Sequence, residues 1–179
     1  DLKSMATPQV VVLLNALEAH VGHFGSLEAI VETKGEILDD LTASDTAVIN
    51  ADQAHYSAWQ LRAAPARIIS FGESSTADVQ LMNLIDRGFD GSDITVDAMG
   101  TEISLQLSIP GRGGVTNALA ATAAAVALDI DVSVIVQGIE ALSPVEGRGN
   151  TLHLERGIRL IDDSYNASPS SVMAALDSL

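Results

Sequence analysis

The chain alternates short runs of β-branched and apolar residues with longer segments of helical periodicity. "PQVVVLLN" after Pro8, "TAVIN" over 46–50 and "ARIISF" over 66–71 are the apolar runs, short enough for strands buried on both faces. Between them lie a segment over 26–41, which Ser26 is placed to cap, and a second over about 53–63. Strands separated by helices predict parallel pairing with helices on the sheet faces. The pattern changes at about 78–108, where "SDITVDAMGTEISLQL" alternates apolar and polar residues on both sides of Met99 and Gly100. That alternation predicts an antiparallel hairpin within a meander, inserted into the sheet or added at its edge. After "PGRGG", the small residues of "VTNALAATAAAVALD" predict a helix that a neighbour can approach closely, and another helix follows over about 132–141. "PVEGRGN" then leads into two strands turning at Arg156 and Gly157, and into a last helix with Ser168 as N-cap and Pro169 in its first turn. The expected fold class is α/β: a mostly parallel sheet flanked by helices, with an antiparallel meander at about 78–108. No internal repeat, linker or low-complexity segment interrupts it, so one core is expected.

Within 26–41 one residue breaks the pattern. Leu27, Ile30, Val31, Ile37, Leu38 and Leu41 recur at the spacing of a core-facing stripe, and the position that continues the stripe is Lys34. Glu28, Glu32, Glu36 and Asp40 follow one another at i+4 and read as the solvated face, well round the wheel from Lys34. Such a lysine either lays its stem on apolar surface and snorkels to water, or is desolvated, loses charge easily and offers a neutral amine. A neutral amine acts as a nucleophile or takes up carbon dioxide to form a carbamate, an oxygen ligand suited to a hard cation such as magnesium.

Charge narrows the partners. With 9 Lys+Arg against 24 Asp+Glu the formal net charge is -15, which repels a phosphate backbone and argues against nucleic acid or an anionic membrane surface. An anionic small ligand needs local help from a cation or a metal. The chain has no cysteine, which leaves no disulfide framework or thiolate site and fits a reducing compartment. No apolar run is long enough to span a bilayer and the N-terminus is not signal-like, so a cytoplasmic location without membrane insertion is expected.

Polar residues close three of the strand signals: Asn15 after "VVVLL", Asn50 in "TAVIN", and Asp162 and Asp163 in "IRLIDD". Ligands of open α/β sheets bind at the carboxyl ends of strands, although Asn and Asp also start ordinary turns. His20 and His23 stand in the loop before the segment carrying Lys34, with no third ligand evident for zinc. His55 and His153 stand alone. Neither GxxxxGK[ST] nor GxGxxG occurs.

"LNALEAHVGHFGSLEAIVETKGEI", "INAD", "PGRGGVTNALAATAAA", "PVEGRG" and "DDSYNASPSS" occur in the order and spacing of the Mur ligases, and essentially the whole chain resembles that family. The details are similar to its members that add D-alanyl-D-alanine to the UDP-N-acetylmuramoyl tripeptide in peptidoglycan synthesis. Such enzymes have an N-terminal domain for the UDP-sugar, a central P-loop-type ATPase domain and a C-terminal domain for the incoming amino acid or dipeptide. The resemblance implies that residues 1–179 are part of the central domain, entered after its phosphate loop, without the two outer domains, and inactive as a ligase alone. It implies ATP and Mg2+ as cofactors, UDP-N-acetylmuramoyl-tripeptide and D-alanyl-D-alanine as substrates, and a monomer.

Carried over by position, Lys34 matches the lysine carbamylated in these ligases and His20 a histidine on magnesium, so the two form the metal site. The carbamate would explain an inward lysine. Arg148 matches an arginine reaching the nucleotide phosphates and joins Lys34 and His20 in the catalytic set. Asn117 matches an asparagine near the adenine and Asp163 the aspartate on the ribose, while Asn15 and Asn50 are expected on the nucleotide-binding rim. Tyr165 and Asn166 match positions that approach the muramoyl-peptide substrate. One departure is visible: the family usually carries His-Asn after "GR", the Asn touching adenine, where this chain has Gly113 and Gly114. The rival readings are another amide ligase, such as the one adding the third peptide residue or a folylpolyglutamate synthase, and a non-catalytic scaffold with a degenerate nucleotide site.

Overall fold

The computed structural model describes residues 6–17, 25–165, 167 and 169–177. Six strands form one sheet in sequence order: β1 (Val10–Leu13), β2 (Thr46–Asn50), β3 (Arg67–Gly72), β4 (Val79–Asp86), β5 (Ser92–Ala98) and β6 (Thr101–Leu107). β1 to β4 pair in parallel, and β4, β5 and β6 antiparallel. The fold expectation therefore holds, and the meander is the edge of the same sheet.

β2 shows why the parallel part needs no polar face. All five of its residues are buried, and alternate side chains feed two cores. Ala47 and Ile49 join Leu13, Ile30, Leu38, Trp59 and Ala63 on one side. Val48 joins Ile69, Phe71, Leu119, Ala123 and Ile135 on the other. The first side is covered by α1 (Leu27–Gly35), its following 3-10 turn over Glu36–Leu38, and α2 (Tyr56–Ala63). The second is covered by α3 (Gly111–Ala127) and α4 (Val132–Glu140). The bare surface of α3, with Ala118, Ala120 and Ala123 buried, lets that helix cross the sheet closely. In the meander the single-faced alternation survives: Ile94, Val96, Ile103 and Leu105 point to the core. The ribbon of β7 (Asn150–His153) and β8 (Arg159–Asp162) turns where expected, with positive φ at Arg156 and Gly157, and α5 (Pro169–Asp177) then packs beside α3. Ser168, the expected cap of α5, lies outside the described residues.

Two expectations are corrected. The segment over 26–41 is not one helix: α1, capped by Ser26 Oγ accepting from Ala29 N–H at 3.2 Å, stops at Gly35. Lys34 is exposed, and Gly35 beside it is the buried residue. At this end α1 meets α2, where a Cβ on Gly35 would lie 2.7 Å from an Arg62 guanidinium nitrogen and 3.3 Å from Trp59 Nε1, so a side chain there would have to displace the end of Arg62 and press on the indole. Lys34, in the last turn of α1, reaches the chain just past the end of β1, at Asn15. Similarly, "GRGG" is not a loop before α3 but its first turn. A Cβ on Gly114 would lie 2.5 Å from the Ile109 carbonyl oxygen, and its absence lets that turn close onto the preceding strand end.

Candidate functional site

The parallel strands end along one edge of the sheet, and β6 runs in their direction, so α3 also begins there. The Lys34 ammonium reaches this rim and donates to the Asn15 carbonyl oxygen at 2.7 Å. Desolvation lowers its pKa from the ordinary lysine value. Ala16 N–H donates to Gln53 Oε1 at 3.1 Å, which ties the segment after β1 to the turn after β2.

Asn50 is buried at the end of β2 and its side-chain oxygen accepts from Asp52 N–H at 2.9 Å. Asp52 in turn accepts from Glu73 N–H, at 2.8 and 3.1 Å to its two oxygens, and from Ser74 N–H at 2.9 Å. The loop after β3 is thus moulded on one carboxylate. Glu73 forms an ion pair with Arg112 in the first turn of α3, closing the rim from β2 to α3. Sequence reasoning singled out neither Asp52, Glu73 nor Arg112; an Asp two residues past the strand-ending Asn in "INAD" is the only local signal.

A second group of candidates gathers where the segment before β7 meets the turn after β8. The Arg148 guanidinium lies 3.8 Å from the centre of the Tyr165 ring. Tyr165 N–H donates to the Gly147 carbonyl at 3.0 Å, and Gly147 N–H donates to Asp162 Oδ2 at 3.2 Å. Asp162 Oδ1 accepts the Ser164 hydroxyl at 2.6 Å and the Ser164 N–H at 3.2 Å, and the Ser164 hydroxyl is the main reason that its pKa is lowered. Gly147 is buried at φ +75°, with the place of a Cβ 3.4 Å from Tyr165 N, so glycine suits the junction both by its backbone and by its size. The same loop comes up against the start of α3, since a Cβ on Gly149 would lie 3.9 Å from Pro110 Cγ.

The structure therefore brings together Lys34 with Asn15, and Arg148 with Tyr165 beside the Asp162 turn. Asp163 is exposed next to that turn, and Asn117 is exposed in the second turn of α3. His20 and Asn166 lie outside the described residues. Among the described residues no group of three His, Cys, Asp or Glu is arranged to hold a metal, and no helix is long and apolar enough to cross a membrane.

Residues 1–125 match the family described as the Mur ligase middle domain. The chain belongs to that family. Its relatives include the UDP-N-acetylmuramoyl-tripeptide--D-alanyl-D-alanine ligase of Haemophilus influenzae, 34% identical over 175 residues, 98% of this chain and 37% of the relative. The UDP-N-acetylmuramate--L-alanine ligase of Streptomyces avermitilis is 32% identical over 96% of this chain and 37% of its own length. Among solved structures, MurF from Acinetobacter baumannii superposes with a TM-score of 0.92 at 29% identity, over 99% of this chain and 38% of that one. MurF ligase from Thermotoga maritima in complex with ADP gives 0.82 at 27%, over 99% and 40%. This Mur ligase middle domain thus spans about 37% of the curated relative from Haemophilus influenzae.

Proposed function

We propose that this Mur ligase middle domain is the nucleotide-binding part of an ATP-dependent amide ligase that joins D-alanyl-D-alanine to UDP-N-acetylmuramoyl-tripeptide. The observation that carries the reading is the likeness to the Haemophilus influenzae enzyme of that name over 98% of the chain. The rim geometry supports it: strand ends, the start of α3 and the Arg148 loop face one edge, where α/β sheets take nucleotides.

In this reading the tripeptide carboxylate oxygen attacks the γ-phosphorus of ATP and ADP leaves. The dipeptide amine then attacks the acyl phosphate carbon, and inorganic phosphate and a proton depart. Catalysis of this kind is positioning and electrostatics. Arg148 offers a charged fork to the phosphates, Asp163 takes the ribose, Asn117 the adenine, and Asn15 and Asn50 set the rim. Asn166 contacts the peptide substrate.

For magnesium the fit rests on Lys34. Its amine, with a lowered pKa and seated on the Asn15 carbonyl, has the chemistry for carbamate formation, and as a carbamate it would hold the ion with His20. A bound magnesium offsets the crowding of negative oxygens. The remaining work falls to this chain's own groups: the Asp52 carboxylate fixes the loop after β3, and the Glu73 and Arg112 pair fixes the start of α3.

The test is phosphate release by the ligase carrying this domain, given ATP, magnesium and the tripeptide, with a panel of acceptor amines. Release is expected with D-alanyl-D-alanine and not with L-alanine or a diamino acid. Release with L-alanine and UDP-N-acetylmuramate instead would assign the activity named for the Streptomyces avermitilis relative. Residues 1–179 by themselves are expected to release no ADP.

A further inference from the structure

We propose that Tyr165 is a positioning residue for Arg148, its ring holding the guanidinium in readiness for the phosphates of a nucleoside polyphosphate. The proposal rests on the reading of Arg148 as a phosphate contact. Arg62, Arg87 and Arg112 each pair with a carboxylate, whereas Arg67, Arg156 and Arg159 have none among the described residues, and Arg159 sits more loosely over the Phe89 ring at 5.0 Å. Arg148, in a chain of net charge -15, has no carboxylate partner among the described residues. It lies instead on a neutral ring at 3.8 Å. A carboxylate would consume the guanidinium donors, whereas a ring takes one face of the plane and leaves the edge hydrogens for an anion.

Tyr165 is 69% exposed, so burial does not hold it. Among the described residues its phenol oxygen has no hydrogen-bond partner, which leaves the ring face as the useful part of the side chain. The backbone is tied for this purpose: Tyr165 N–H to Gly147 O, and Gly147 N–H to Asp162. These bonds fix the two chain segments on either side of the stack, so that ring and guanidinium meet without ordering long stretches of chain.

The test has two arms. In the first, the Arg148 side-chain protons of this chain are observed by NMR: they are expected upfield-shifted by the ring, unchanged in Tyr165→Phe and returned to ordinary values in Tyr165→Leu. In the second, steady-state kinetics are measured on the ligase carrying this domain. Tyr165→Leu is expected to raise KM for ATP about two- to five-fold, the range of an exposed cation–π contact, with kcat and KM for the tripeptide little changed. Tyr165→Phe is expected to keep the wild-type value, and Tyr165→Leu to add nothing in an Arg148→Ala background. An effect on KM for the tripeptide that persists without Arg148 overturns the proposal and makes Tyr165 a substrate contact. If Arg148→Ala raises KM for ATP while Tyr165→Leu does not, the positioning role alone fails. If Arg148→Ala leaves KM for ATP unchanged, the phosphate reading fails and the proposal with it, whatever the NMR shows of the stack.

Discussion

The two halves of the candidate site are held by different forces. Along β1, β2 and β3 the rim is an outgrowth of the core: Asn50 is only 4% exposed, and the strand beneath it is buried throughout. Around Arg148 the supports are a ribbon whose Leu152 and Leu160 are almost half exposed, hydrogen bonds converging on Asp162, and the stack on Tyr165. Arg159 adds a contact over the Phe89 ring at 5.0 Å, which links the ribbon to the meander. Groups anchored in a core move only when the whole domain opens, whereas groups held by surface polar contacts open locally at much lower cost. The rim is thus the fixed template and the Arg148 loop the adjustable part.

The largest expected effect is in the core. Ile69, at 0% exposure, truncated to Ala should destabilise the domain by about 2–5 kcal/mol through lost transfer energy and a cavity. Leu160→Ala in β8 should cost less than about 1 kcal/mol, as exposed substitutions do. Denaturant midpoints of the two variants measure the contrast, and equal losses would mean that the ribbon shares the main core after all.

Next comes Asp52→Ala, which removes the acceptor for the N–H groups of Glu73 and Ser74. These bonds are exposed, so water takes up the freed donors and the loss is about 0.5–1.5 kcal/mol. Hydrogen exchange should accelerate at Glu73 and Ser74 while the amides of Gly147 and Tyr165 keep their rates. Acceleration at both places would dissolve the division drawn above.

These contrasts also bear on what a sequence discloses. The strands and the meander were legible because burial on two faces and burial on one leave different apolar patterns. The direction of Lys34 was legible only in part: it lies one turn after Ile30 within α1, but periodicity does not say that this last turn reaches the end of β1, where the ammonium meets the Asn15 carbonyl. Asp52 and Glu73 escaped notice because their hydrogen bond joins residues 21 apart, a distance at which no local periodicity survives. The Arg148 and Tyr165 positions were legible only through family resemblance; that they touch each other follows from the pairing of β7 with β8.

Lys34 gives a smaller and directional effect. Desolvation lowers its folded pKa, so the folded chain releases a proton that the unfolded chain keeps. The stability contributed by this group should therefore rise as pH climbs through the folded pKa, and level off above the ordinary value of 10.5. The pH midpoint of Lys34 acylation, read by mass spectrometry, should be lower in the native chain than in guanidinium. A native midpoint at or above the denatured one would place the amine in ordinary solvent.

The smallest effect tests the adjustable part directly. The Ser164 hydroxyl and the Ser164 and Gly147 amides lower the pKa of Asp162, the hydroxyl most. A depressed carboxylate pKa contributes stability that is present above the unfolded value and lost as pH falls through the folded one, so the junction should loosen only below the usual carboxylate range. Because Asp162 is only half-buried, solvent screens this contribution and the domain midpoint should barely change. The readout is local: the Asp162 carboxyl carbon followed by NMR, together with the Gly147 amide that donates to it. Ser164→Ala should move the Asp162 midpoint up toward the ordinary aspartate value, and the Gly147 amide should titrate with it while the Asp52 loop does not respond. If Ser164→Ala leaves the midpoint where it was, the hydroxyl is not what organises the turn, and the Arg148 stack must then be held by the backbone bond between Tyr165 and Gly147 alone.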